Sequence, residues 1–284
     1  MKRRRIMISG AAALAVCGIS GVVPAAVQAS SVSAVTWTQQ HPAASPPARS
    51  QASMAYDAAT GTVLLFGGTD TGQGGDNDTW TWNGTTWTQQ HPAASPPARF
   101  ELDSMAYDAA TGTVVLFGGV GSSSHGFIKG TWTWDGTTWT QQHPATIPRG
   151  NYPVTAYDAT TGTVVLFDVA TTDRGGDTDT WTWNGTTWTK QTHANNPPTG
   201  TSNGTMAYDA ATGTVLLFGG TGRPPAFFLA DTWTWNGTRW TQQHPATSPA
   251  GRTRASMAYD AATGTVLLFG GFDGGELGDT WTWG

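Results

Sequence analysis

Cysteine occurs once in the 284 residues, at Cys17, so no intrachain disulfide can staple this chain and its fold must be held by packing. Glutamate is nearly as scarce. Glu101 and Glu276 stand far apart in the sequence, and nothing identifies the two carboxylates at defined separation that a glycosidase needs. Basic residues are also few. Without Lys2, Arg3, Arg4 and Arg5, the 14 Lys and Arg fall to ten against 19 Asp and Glu, a charge near −9 that makes nucleic acid and anionic membranes poor partners.

One long apolar run is present, from Ile6 to Val23. It follows the basic cluster and precedes Val27-Gln28-Ala29, the layout of a cleavable signal peptide spanning residues 1–29. The expectation is an exported, secreted or cell-envelope domain of residues 30–284 with no membrane span, either Sec or twin-arginine routed. Leu14-Ala15-Val16-Cys17 resembles a lipobox, which makes a lipoprotein held through Cys17 a secondary reading; Val16 is bulky for that cleavage.

What the chain has in abundance is a repeat. Tyr56, Tyr107, Tyr157, Tyr208 and Tyr259 recur at about fifty residues, each followed by Asp and a turn ending in Gly, and a period of that size signals stacked units. Each unit contains four short β-forming runs: one ending at Tyr-Asp, a Val-Leu-Leu-Phe type run, Thr-Trp-Thr-Trp, and a run opened by Trp after Asn-Gly or Asp-Gly, a strong hairpin signal. All 15 tryptophans fall in this framework, more aromatic surface than one isolated sheet can bury, so the units are expected to stack radially with the Trp-x-Trp pairs between them. The predicted fold is an all-β, five-bladed β-propeller of four-stranded antiparallel blades. A lone strand at residues 35–40 around Trp37 is expected to pair with Thr280–Trp283 in the last blade and close the ring.

The Tyr-Asp, the Phe-Gly-Gly at Phe66 to Gly68 and the tryptophans that follow resemble the kelch repeat across nearly all of residues 30–284. The resemblance implies a propeller similar to the central domain of galactose oxidase, with two departures: five units where six or seven are usual, and Asp168-Val169 in place of Gly-Gly in the third. It carries no copper chemistry over, because that chemistry needs a cysteine-crosslinked tyrosine and residues 30–284 have no cysteine. The motif specifies fold and is nearly silent on function.

Divergence between units is confined to the second-to-third connections at 69–78, 120–130, 170–179, 221–231 and 272–279, which the strand order puts on one face. The candidate ligand-binding residues lie there or beside it. Phe127, Phe227, Phe228 and Phe272 form an apolar group, either exposed as a contact surface or folded back over the channel. Arg49, Arg99, Arg149 and Arg252 precede the first strand of four units, either as an anion-binding ring or as partners of loop aspartates. His125 is the one histidine outside the links between units. No catalytic or metal site is assigned and no cofactor is expected; Asp76 with Asp78, and Asp173 with Asp177 and Asp179, are the only sets suited to calcium and lack a calcium-loop spacing.

These residues predict a non-catalytic binding module, monomeric, that offers its variable loops to a glycan or a protein. Two other readings stay open: a hydrolase or lyase of envelope polysaccharide using Asp168, Asp173 or Glu276 with His125, and a structural surface protein.

Overall fold

The computed structural model describes residues 39–284 apart from 70–74, 122–125, 171–176, 193–194, 199–201, 223–226 and 262. Blade one contains β1 (Ser53–Asp57), β2 (Thr62–Phe66), β3 (Thr79–Trp82) and β4 (Trp87–Gln90). Blade two contains β5 (Arg99–Asp108), β6 (Thr113–Gly121), β7 (Thr131–Trp134) and β8 (Trp139–Gln142). Blade three contains β9 (Val154–Asp158), β10 (Thr163–Ala170), β11 (Asp177–Trp183) and β12 (Trp188–Lys190). Blade four contains β13 (Thr205–Asp209), β14 (Thr214–Phe218), β15 (Thr232–Trp235) and β16 (Trp240–Gln243). Among the described residues blade five has three strands, β17 (Ser256–Asp260), β18 (Thr265–Phe269) and β19 (Thr280–Trp283).

Every blade is an antiparallel meander in sequence order, and the innermost strands β1, β5, β9, β13 and β17 pack side by side in succession. The expected five-bladed propeller is therefore the architecture. The closing strand expected at residues 35–40 falls mainly outside the described residues, which hold only Gln39 and Gln40 of it.

Two recurrent devices build blades one to four. At the first hairpin a buried aspartate folds the turn back on itself: Asp57 accepts from the amide of Ala59 and the hydroxyl of Thr60, and its backbone carbonyl accepts from Gly61, whose φ of 69° suits glycine. At the second hairpin Asn83 accepts from the amides of Thr85 and Thr86, and the two flanking indoles, Trp82 and Trp87, face each other across the ladder.

Blades interlock through the tryptophan of the fourth strand. Trp139 presents its ring edge to Phe66 of the preceding blade at 5.3 Å, leans on Trp134 at 5.4 Å, and donates its indole N–H to Thr79 Oγ1 at 2.9 Å. Trp188 repeats this with Phe117, Trp183 and Thr131, and Trp240 with Phe167, Trp235 and Thr180. In these three blades the N–H of the fourth-strand indole finds an acceptor, and the ring fills the space between two sheets. Three aromatic and aliphatic cores lie between successive blades from one to four, and a smaller one between four and five.

Candidate functional site

Strand direction sorts the chain into two faces. The hairpins at Asp57–Gly61 and Asn83–Gly84 occupy one, and their near-identical sequences form closely similar turns. The other face carries the diverging connections and the entry to each innermost strand, joined by short bridges such as Ser50 to Thr69, Ser202 to Thr221 and Thr253 to Phe272. On this second face the propeller axis opens into a cavity of about 310 Å³.

All five blades contribute to its wall: Gln51 and Ser53, Ser104, Tyr152, Asn203, and Arg254. Four of these occupy the same repeat position, five residues before the Tyr of the Tyr-Asp pair: Gln51, Tyr152, Asn203 and Arg254. Three of the four hold a backbone conformation that side chains other than glycine seldom adopt, with φ of 59° at Gln51, 58° at Asn203 and 58° at Arg254. Such strain persists only where the surroundings enforce it, and it clusters at ligand sites.

The enforcing contacts are visible. The amide of Arg254 and the hydroxyl of Thr253 both donate to the Asn203 carbonyl, at 3.0 and 3.1 Å, tying the entries of blades four and five together. Asn203 Nδ2 reaches Thr221 Oγ1 at 3.4 Å, and Ser104 Oγ pairs with Thr155 Oγ1 at 2.8 Å across blades two and three. Tyr152 is braced by Phe127, ring edge against ring at 5.9 Å. The wall therefore offers two amides, hydroxyls, a phenol and one guanidinium, with no carboxylate, imidazole or thiol among the described residues that line it.

The residues singled out from the sequence lie around this mouth in different ways. Phe127 is its outer brace. Phe228 and Phe272 are half-buried and pack on each other at 5.9 Å, while Phe227 is exposed. His125 lies outside the described residues, as does Asp173.

Arg49, Arg99, Arg149 and Arg252 do not line the axial wall. Arg49 holds Asp78 with both terminal nitrogens, at 2.5 and 2.8 Å, and donates to the Gly67 carbonyl; Arg252 holds Asp279 and the Gly270 carbonyl in the same way. The hydrogen bond from Arg252, with that from Trp281, holds the Asp279 carboxyl well below the usual carboxylate range. Burial opposes the same shift at Asp78, but the hydrogen bonds from Arg49 and Trp80 prevail and lower it. Arg99 is fully buried over the Phe66 ring and donates to the Gly118 carbonyl. The Arg149 carbonyl accepts from Lys129. The side chains of Arg49, Arg99 and Arg252 thus clamp the entries of blades one, two and five to the ends of their second strands.

Asp78 is thus committed to Arg49, Asp179 is paired with Lys190 at 2.7 Å, and among the described residues no group of three acidic, histidine or cysteine side chains stands close enough to hold a metal ion. Asp168 is fully buried, accepts from the Gly150 amide at 2.8 Å, and its carboxyl is pushed up to about 7 by burial. Glu276 is exposed on the last connection, away from the axial wall.

No family model matches the sequence, and no curated protein matches it. The fold is similar to that of the solved structure of YjhT. The superposition has a TM-score of 0.61 at 16% identity and covers 82% of this chain and 81% of that one. At that identity the likeness is one of fold.

The ring of Gln51, Tyr152, Asn203 and Arg254 lies outside the long connections in which the units diverge most in length and composition. Its signal was nonetheless there. Within repeats that otherwise coincide, the position five before the tyrosine reads Gln, Leu, Tyr, Asn and Arg in turn.

Proposed function

We propose that this protein is a secreted, monomeric binding module that holds a glycan at the mouth of its propeller axis. The observation that carries the reading is the ring of unlike polar side chains at one repeat position, three of them on left-handed backbone, around a cavity open to solvent. Amide, hydroxyl and guanidinium donors suit the hydroxyls of a sugar, and the phenol ring of Tyr152 suits an apolar sugar face. Export after Ala29 belongs to the same proposal and rests on the charged, apolar and small-residue layout of residues 1–29.

Residues 30–284 should be screened on a glycan array beside the single variants Asn203→Ala and Arg254→Ala. The expected result is retention on a restricted set of glycans, lost at least tenfold in both variants while Tm is unchanged. Binding that survives both substitutions but disappears in Phe227→Ala would move the site to the exposed loop tip and favour a protein ligand.

A further inference from the structure

We propose that the entry of blade three is built differently from its neighbours in order to hold the Tyr152 ring at the axial mouth, with Asp168 as its positioning residue, so that ligand retention falls as the Asp168 carboxyl ionises. The proposal rests on the reading of that mouth as the glycan site and says how the site is regulated.

The difference is visible against the repeat. Blades one and five carry an arginine seven residues before the Tyr of the Tyr-Asp pair, and it donates to the carbonyl of the glycine that follows the second strand, Arg49 to Gly67 and Arg252 to Gly270. Each guanidinium also holds the aspartate whose backbone carbonyl meets that glycine, Asp78 or Asp279. Blade three exchanges both members. Gly150 stands at the arginine position and Asp168 at the glycine position, and the carboxyl packs directly on Gly150, where a side chain would overlap it. Asp179, opposite Asp168 across the ladder, pairs with Lys190 at 2.7 Å.

The consequence reaches the mouth two residues on. The segment from Arg149 to Tyr152 is fixed by Lys129 Nζ donating to the Arg149 carbonyl at 2.7 Å, the Gly150 amide donating to Asp168 Oδ2 at 2.8 Å, and the Asn151 amide donating to the Val169 carbonyl at 3.2 Å. Gln51, Asn203 and Arg254 reach the wall on left-handed backbone. Tyr152 does not, because Pro153 follows it and confines it to extended conformations. The place of its ring, braced by Phe127, therefore depends on the segment behind it.

Charge is what can undo this hold. Asp168 is fully buried; Oδ2 accepts the Gly150 N–H, and Oδ1 has no hydrogen-bond partner among the described residues. One donor does not compensate a buried carboxylate. Burial is the dominant influence and pushes the carboxyl up to about 7, helped by Asp179 on β11 and opposed by the Gly150 N–H, Lys190 on β12 and Lys129 before β7. Once ionised, the carboxylate regains water only by parting from the entry segment packed on it, and Tyr152 loses its support.

The test follows the Gly150 amide and the Tyr152 ring of ligand-free residues 30–284 by NMR from pH 5 to pH 8.5, with the glycan array run at pH 5.5 and pH 8. Both signals should shift with one midpoint near 7. Retention should fall about tenfold between the arrays, since a site that needs the neutral acid loses about tenfold per pH unit above its pKa. In Asp168→Asn the shift should vanish and retention should be level with pH. Gly150→Arg combined with Asp168→Gly, which writes the blade-one pair into blade three, should retain glycans without the pH dependence. A Tyr152 ring that stays still while Gly150 titrates would overturn the proposal, as would a pH dependence of retention that survives in Asp168→Asn. If Tyr152 titrates with Gly150 but no glycan is retained at either pH, the positioning role stands and the glycan reading falls.

Discussion

Asp168 supplies a prediction whose sign and size follow from one substitution in the repeat. Where blades one, two, four and five place glycine after the second-strand phenylalanine, blade three places this aspartate, fully buried, with one carboxylate oxygen accepting from the Gly150 amide. Burial disfavours the charged form and pushes the carboxyl up to about 7, from 3.8 for an aspartate in water. The folded protein therefore binds a proton that the unfolded chain has released. Stability contributed by the neutral acid is fully present below about pH 3.8 and is lost progressively as pH rises toward and through about 7. Between pH 5 and pH 8 the loss integrates to roughly 2–3 kcal/mol, since one pKa unit corresponds to about 1.4 kcal/mol. Asp168→Asn keeps the shape and removes the titration. Urea unfolding of wild type and variant at pH 5, 6, 7 and 8 isolates this group from Asp78 and Asp279, whose lowered carboxyls favour stability above their unfolded pKa and lose it toward acid. Wild-type stability relative to the variant should fall by about that amount from pH 5 to pH 8. A difference that is flat, or that grows with pH, would refute the reasoning.

Three further outcomes follow. Trp240→Ala should destabilise by about 3–5 kcal/mol, and Thr180→Val by about 1–3 kcal/mol because the indole N–H keeps its burial and loses its acceptor; denaturant midpoints check both. Gly67→Ala should be poorly tolerated, because φ is 70° and the added methyl would stand 2.7 Å from the Arg99 carbonyl oxygen; a Tm within a degree of wild type would contradict this. Gln51→Gly should relieve left-handed strain and hold or raise Tm, while glycan retention on the array falls; loss of both stability and binding would count against a strained ligand contact.

The propeller was legible because one local code is written five times. Asn83-Gly84, the buried Asp57 turn and the alternating tryptophans each specify a strand or hairpin from neighbouring residues alone, and repetition fixes how the sheets stack. The site was less so. Whether Arg49 faces the axis or Asp78 depends on how an entry segment meets a connection of the same blade, a contact made over 29 residues and set by tertiary geometry. The left-handed backbone at Gln51, Asn203 and Arg254 has no glycine to announce it, so the ring emerges only when the five blades stand around one axis.

The central claim is that the axial mouth is the binding site, and its most direct test is a heteronuclear NMR titration of residues 30–284 with the best-retained glycan, following the side-chain signals of Gln51, Asn203 and Arg254. The account predicts that these three shift together and saturate at the same ligand concentration, while the amides of the Asp57–Gly61 and Asn83–Gly84 hairpins on the opposite face stay still. Shifts confined to those hairpins, or to the exposed Phe227 loop, would contradict it.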